Sequence, residues 1–251
     1  GPGNNIHRTP YGGRNFEYYS EDGFLSGEMS AYEVAAIEEK GVGVVMKHFA
    51  LNDSEQDRIG LGVWVNEQAA REIYLKAFQA PVEKGNANGV MIAYTRWGCT
   101  WSGGNKPLVT GILREEWGCD GLIITDNVLT TYVNGVDGVL AGVSTFDAML
   151  PYVTKQLPDY KNDAVIVNAM REACHRNLYA IANSSGMNGI GKDTEIKDTG
   201  LLVVNVVRTL LIVFGALFVL SLVMWITRKR RFKKNYVYTP AAGTTKNAAD
   251  E

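Results

Sequence analysis

An uncharged run near the end of the chain, TLLIVFGALFVLSLVMWIT from Thr209 to Thr227, limits the possible folds most. As a helix, its nineteen residues reach roughly 28 Å, close to a hydrocarbon thickness of about 30 Å. Upstream, GLLVVNVV (Gly200 to Val207) lengthens the apolar stretch, interrupted by Arg208. A charge at the bilayer centre costs on the order of 3 kcal/mol, so Arg208 is expected near an interface, with Trp225 at the other. The competing assignment is a buried core helix. Such helices rarely stay apolar on every face for so long, and RKRRFKK (Arg228 to Lys234) follows at once. That basic cluster predicts a cytoplasmic C-terminus. The expectation is therefore a single-pass cell-membrane protein. Residues 201–227 form a transmembrane helix in contact with lipid, 228–251 a basic cytoplasmic tail, 190–200 a flexible stalk, and 1–189 an extracellular globular part.

The remainder is apolar enough to bury a core, and a formal net charge of -2 gives no argument for nucleic acid. Cys99, Cys119 and Cys174 have no paired or metal-ligand spacing and are expected to be small buried hydrophobes. No HExxH, paired-Cys site or Gly-rich phosphate loop occurs, so neither metal nor cofactor is expected. The chain opens on Gly1 and its first residues read as a domain interior. The expectation is the C-terminal part of something longer.

Residues 1 to about 186 alternate short β-branched runs with amphipathic ones. Strands are predicted at Val42 to Met46, Gly89 to Ala93, Leu122 to Ile124 and Gly142 to Thr145, with a weaker one before His7. Continuous apolar runs suit strands buried on both faces. Helices are predicted from Ser26 to Gly41, from Asn66 to the Pro81–Gly85 region, from Leu108 to Gly118 and from Asp163 to Ser184. Repeated βα units imply an α/β fold with a parallel sheet, either a (β/α)8 barrel or a doubly wound sheet.

Parallel α/β folds place their sites at the C-terminal ends of strands. Those ends carry His7 and Arg8 within NIHRTPYGGRNFE, then Lys47-His48, Tyr94 and Arg96, Asp126, and Asp147. One polar residue after a strand is ordinary. Five successive ends of this kind describe a pocket with cationic and acidic walls. A carboxylate among Arg, Lys and His is expected to have a lowered pKa and stay ionised. Such a group suits attack on an anomeric carbon, and Lys and Arg donors suit sugar hydroxyls.

The segments NIHRTPYGGRNFEYYSED, KHFALNDSEQDR, REIYL, LREEWG and GLIITD resemble the catalytic barrel of glycoside hydrolase family 3, the β-glucosidase family. The resemblance covers Gly1 to Gly189. It implies a partial (β/α)8 TIM-type barrel, comprising about the last five βα units, followed by the transmembrane helix. It also implies a retaining exo-β-glycosidase of the β-glucosidase type, acting on β-linked oligosaccharides or glycosides. By the resemblance Asp126 is the nucleophile that forms a covalent glycosyl-enzyme. Lys47, His48, Arg14 and Arg58 hold sugar hydroxyls, and Tyr94 lies beside the nucleophile. Glu17 is read as a brace for Arg14, while His7, Arg8, Asp147 and His175 are read as structural.

The chain departs from the family pattern where Asn127 follows the nucleophile in place of a frequent Trp, and where Cys119 replaces a usual Phe. No residue is assigned as the second carboxyl group that retaining hydrolysis needs. In this family it typically comes from another domain. The resemblance therefore implies a C-terminal piece of a reversed-domain-order, membrane-anchored member, whose upstream part supplies the acid/base. Two alternatives remain: a non-catalytic membrane-anchored carbohydrate-binding or scaffold protein, and a degenerate barrel remnant. In isolation the piece is expected to be inactive and poorly folded.

Overall fold

The structure is a computed structural model and describes residues 1–129, 131–149, 152–195 and 199–236. The chain divides into two units, Gly1–Ile190 and Gly191–Glu251.

In the first unit, helix α1 (Gly23–Glu38) leads into strand β1 (Val45–Phe49). A short strand β2 (Gly62–Val63) precedes a helical segment made of α2 (Glu67–Ala69), a π-helical stretch (Ala70–Tyr74) and α3 (Lys76–Glu83). Strand β3 (Gly89–Ile92), hairpin strands β4 (Arg96–Trp97) and β5 (Thr100–Trp101), a π-helix (Pro107–Glu116) and β6 (Leu122–Thr125) follow. Helices α4 (Gly135–Ala141), α5 (Tyr152–Gln156) and α6 (Ala164–Ala182) complete the succession.

Strands β1, β3 and β6 form a parallel sheet in that order, with Val45 opposite Gly89 and Gly89 opposite Leu122. Parallel bridges extend it on both sides, Gly3 with Lys47 and Ile124 with Thr145. Five sheet positions therefore follow one another in space as they do in sequence. A doubly wound sheet reverses its order at a switch point, whereas a (β/α)8 barrel winds in one direction. The order here is that of a barrel sector. Within its mainly aliphatic core, fully buried Phe49 meets Phe78 edge-on at 5.3 Å and Trp117 at 6.0 Å.

Several predicted boundaries move. Strand β1 begins at Val45, not Val42, and runs on to Phe49. Glu38 Oε1 accepts the N–H groups of Val44 at 2.7 Å and Asn88 at 2.9 Å, fixing where the chain enters the sheet. Lys47 and His48 consequently lie within the strand rather than after it. Helix α1 begins at Gly23, not Ser26, because Asp22 Oδ1 accepts the N–H groups of Phe24 at 2.7 Å and Leu25 at 3.1 Å. Ser26 instead lies on the buried face, beside Gly23 and Gly27. Neither glycine has room for a side chain against the backbone of Ile73 and Lys76. The strand predicted over Gly142–Thr145 reduces to the bridge at Thr145, since Gly142 (φ +107°) terminates α4 in a left-handed conformation. The helices predicted from Asn66 and Asp163 start there, and the side chain of each caps its helix. Cys119 is buried, but Cys99 and Cys174 are exposed, correcting the expectation of three buried cysteines.

Among its described residues the second unit contains one helix, α7 (Thr199–Asn235). It is long and apolar enough to cross a membrane. The predicted stalk, span and tail boundaries do not break it: Arg208 and the cluster from Arg228 to Lys234 lie inside the same helix. Lys229 lies over the Trp225 ring at 4.9 Å. Part of the predicted stalk, 196–198, and most of the tail, 237–251, fall outside the described residues.

Candidate active site

Asp126 directly follows β6, and its N–H continues the ladder to the Ile92 carbonyl at 3.0 Å. That bond fixes the side chain at the strand's C-terminal end. Oδ1 accepts the N–H of Asn127 at 2.7 Å. Buried Oδ2 has no hydrogen-bond partner among the described residues. It faces Arg58 Nη1 at 3.6 Å and His48 Nε2 at 3.8 Å. One carboxylate oxygen is therefore pinned and the other is left open.

The loop after β1 supplies Arg58. The chain leaves β1 through buried Leu51, whose φ of +64° is a left-handed conformation, costing about 1–2 kcal/mol for a residue with a Cβ. Strain of this kind is tolerated where it turns a functional loop. Beyond it, Glu55 receives Arg58 Nη1 at 3.1 Å and Asn52 Nδ2 at 3.0 Å. Arg58 also lies 4.4 Å above the Tyr94 ring. Tyr94, at the end of β3, donates its hydroxyl to the Asn127 carbonyl at 2.6 Å. Burial, followed by the Asp126 charge, raises its pKa to about 12, so it remains a donor.

The loop after the first sheet position supplies Arg14 and Glu17. Arg14 pairs with Glu17, approaches Glu55 Oε1 at 3.7 Å and donates from Nη1 to His48 Nε2 at 2.7 Å. Lys47 Nζ reaches Glu17 Oε2 at 3.1 Å. An arginine donates and does not accept, so His48 Nε2 is the accepting nitrogen and Nδ1 carries the proton. Burial, then Arg14 and Lys47, push the His48 pKa down to about 2, and the ring is neutral. Its Nδ1 is buried without a partner. Asn5 holds the backbone here: its Oδ1 accepts the His48 N–H at 2.9 Å and its Nδ2 donates to the His48 carbonyl at 3.0 Å.

The structure thus joins Arg14, Lys47, His48, Arg58, Tyr94 and Asp126 in one network, although they come from four different segments. It corrects the expected electrostatics. The Asp126 pKa is raised, not lowered: burial outweighs the N–H of Asn127 and the charges of Arg58 and Arg14. Both arginines are themselves paired with Glu55 or Glu17, so their fields at Asp126 are partly cancelled. Three cations (Arg14, Lys47, Arg58) oppose three carboxylates (Glu17, Glu55, Asp126). The cluster is neutral when Asp126 is ionised.

Other polar strand-end residues do structural work. His7 Nε2 lies 3.0 Å from the carbonyls of both Asn15 and Tyr18. Arg8 covers the Tyr74 ring at 5.9 Å. Asp147 takes part through its backbone, its N–H donating to Thr125 Oγ1 at 3.0 Å and its carbonyl accepting from Val128 at 2.7 Å. Arg96 belongs to the small sheet of β2, β4 and β5, which the sequence did not reveal because two-residue strands have no readable period. His175 is exposed on α6. Sequence reasoning missed Asn5, Glu55 and Tyr132. Glu55 carried one usable signal, its position three residues before Arg58. A separate cavity of about 690 Å³, lined by Arg8, Asp53, Trp64 and Tyr74, includes none of the six network residues.

Residues 2–147 match the family profile described as glycosyl hydrolase family 3 N terminal domain. A beta-glucosidase of Ruminococcus albus is 47% identical over 126 residues, 50% of this chain and 13% of that protein. A probable beta-glucosidase I of Emericella nidulans is 37% identical over 201 residues, covering 78% of this chain and 24% of that one. The structure of beta-glucosidase 3B from Thermotoga neapolitana in complex with glucose superposes with a TM-score of 0.69 at 33% identity, covering 74% of this chain and 27% of that one. The chain thus spans no more than about a quarter of each of these relatives.

Proposed function

The chain belongs to glycosyl hydrolase family 3, and from that premise we propose that it carries the nucleophile half of a retaining β-glucosidase-type site. The observation that carries this is Asp126: Oδ1 is held by the Asn127 N–H while buried Oδ2 lies open toward Arg58 and His48. In the proposed reaction Oδ2 attacks the anomeric carbon. The C1–Oδ2 bond forms as the glycosidic C1–O bond breaks, and the departing oxygen takes a proton. Water then cleaves the glycosyl ester and restores the carboxylate. Lys47, Arg14 and Arg58 donate to sugar hydroxyls, joined by the free Nδ1–H of His48.

The acid that protonates the leaving oxygen lies outside the described residues. Glu17 and Glu55, the carboxylates within this network, are each engaged by two cations, which suits orientation of the donors rather than proton donation. The reversed domain order belongs to the same proposal. Helix α7 spans a cell membrane once, its basic end cytoplasmic; its length and apolar composition support this. Protease added outside intact cells removes residues 1–190 if this orientation holds. Protection of those residues overturns it.

A 2-deoxy-2-fluoro-β-glucoside with an activated leaving group traps the glycosyl-enzyme. The expected result is a single modified peptide containing Asp126; modification elsewhere refutes the assignment. The engagement of Glu17 and Glu55 also favours a second reading, a membrane-held carbohydrate-binding protein. Glucoside binding without trapping or turnover would decide for it.

A further inference from the structure

We propose that Tyr132 and the cavity beside it receive the leaving group of the glycoside, an aryl group or a second sugar, in place of any contact from residue 127. The inference rests on the glycosidase assignment above and names a part of that site which the sequence did not disclose.

Tyr132 lies in the loop between β6 and α4, six residues beyond the nucleophile. Its ring packs on Tyr94 with centroids 5.0 Å apart and meets Trp101 edge-on at 6.0 Å. Trp101 is anchored in turn, its Nε1 donating to the Ala93 carbonyl at 3.0 Å. The ring is therefore held in the same stack that carries Tyr94 and Arg58. Its hydroxyl is buried without a partner among the described residues. Buried hydroxyls are ordinarily bonded, and an orphan on a ring stacked against Tyr94 marks where a ligand atom or water belongs.

Tyr132 also lines a cavity of about 400 Å³, with Arg96, Asn134, Tyr152 and Tyr160. That volume lies in the range of small-ligand sites, roughly 300–1,000 Å³. Tyrosine faces suit an aryl ring or the apolar face of a sugar, and Arg96 and Asn134 supply donors.

Position along the sheet separates this cavity from the glycone side. Arg14, Lys47, His48 and Arg58 come from the first sheet position, β1 and the loop after it, whereas Tyr132, Asn134, Tyr152 and Tyr160 come from segments after β6, with Arg96 reaching the cavity from β4. Asp126 lies between the two groups. Asn127 has no ring to offer, and its buried Oδ1 is likewise unpartnered.

The test compares 2,4-dinitrophenyl β-D-glucoside with β-D-glucosyl fluoride on the full chain. Both leaving groups depart without a proton, so the source of the acid does not enter. The fluoride has no leaving-group body to fill the cavity. Tyr132→Ala is expected to lower kcat/KM on the aryl substrate by about tenfold more than on the fluoride. Should Tyr132→Ala melt early, Tyr132→Phe replaces it, with a smaller loss of the same selectivity. Equal losses on both substrates, or none, overturn the proposal.

If the unsubstituted chain turns over neither substrate, as expected of the piece in isolation, binding decides for the cavity. With 13Cζ-tyrosine label, the Tyr132 signal is the one absent from Tyr132→Phe. A shift with phenyl β-D-thioglucoside but not with methyl β-D-thioglucoside upholds the cavity as a site for the group beyond the sugar. No shift, or equal shifts, rejects it.

Discussion

The two ends of the parallel sheet use similar polar residues in opposite ways. At the N-terminal end the groups are saturated. Glu38 Oε1 accepts the N–H groups of Val44 and Asn88. Arg114 donates to the carbonyls of Cys119 at 3.0 Å, Gly121 at 3.1 Å and Gly142 at 2.9 Å. At the C-terminal end, Asp126 Oδ2, His48 Nδ1, Asn52 Oδ1, Asn127 Oδ1 and Tyr132 Oη are buried without partners among the described residues. A buried polar atom without a partner costs about 1–3 kcal/mol. The first end holds the fold together. The second stores an unmet capacity for bonding that a ligand can fill, and the fold tolerates it because the first end is complete.

The sharpest way to break this contrast is Asp126→Asn. Loss of the proposed nucleophile is expected to lower turnover of an aryl β-glucoside by roughly 10³-fold or more, while the melting temperature stays level or rises. The sign follows from the raised pKa. The folded state holds the Asp126 proton to a higher pH than the unfolded chain does, so it binds more protons as pH climbs past 3.8 and stability falls. Asparagine removes that fall. A loss of both activity and stability would place Asp126 with the structural end.

The opposite outcome is expected for Arg114→Ala. Three part-buried carbonyls lose their donor at once, which is expected to cost about 2–4 kcal/mol by denaturant unfolding. In the fraction that remains folded, kcat/KM should stay within about threefold. A variant that melts normally would remove the claim that this end carries stability.

Arg58→Gln is expected to lower kcat/KM by about 10- to 100-fold, since it deletes the charge-assisted donor proposed to hold a sugar hydroxyl. Because Arg58 also lowers the Asp126 pKa, its removal moves the acid limb of the pH–rate profile upward. An unchanged limb would mean that Arg58 does not act electrostatically on Asp126.

The smallest effect concerns Asp53, whose Oδ1 accepts the Ile6 N–H at 3.2 Å. Burial lifts its pKa to about 6 despite that bond and the Arg8 charge. The folded state again holds a proton longer than the unfolded chain, so stability falls between pH 3.8 and about 6. Asp53→Asn keeps an acceptor for Ile6 and should raise stability above pH 6 by about 1–2 kcal/mol in thermal melts. No gain would show that Arg8 fully offsets the burial of this carboxylate.

Much of the architecture was legible before the structure. The runs ending at Asp126 and Tyr94 are continuous and apolar, as strands covered on both faces must be. The helices starting at Asn66 and Asp163 were placed correctly, and both residues cap them in the structure. The start of α1 was misread because Ser26 is also a good cap, and only packing against the backbone of α3 shows that its position is interior. The hairpin of β4 and β5 left no period to read. Glu55 and Tyr132 escaped notice because an acidic residue or a tyrosine in a loop is ordinary until its neighbours are known.

Sequence alone determined where the main strands run along the chain, the polar residues at their ends and the apolar helix after them, since all three rest on patterns along the chain. The order of the strands in the sheet came from the tertiary structure. Tertiary structure alone decided the charge state of the site. Asp126 lies among basic residues, yet burial and the pairing of those residues with Glu17 and Glu55 raise its pKa. Desolvation and screening depend on distances between segments far apart in sequence, and no local pattern encodes them.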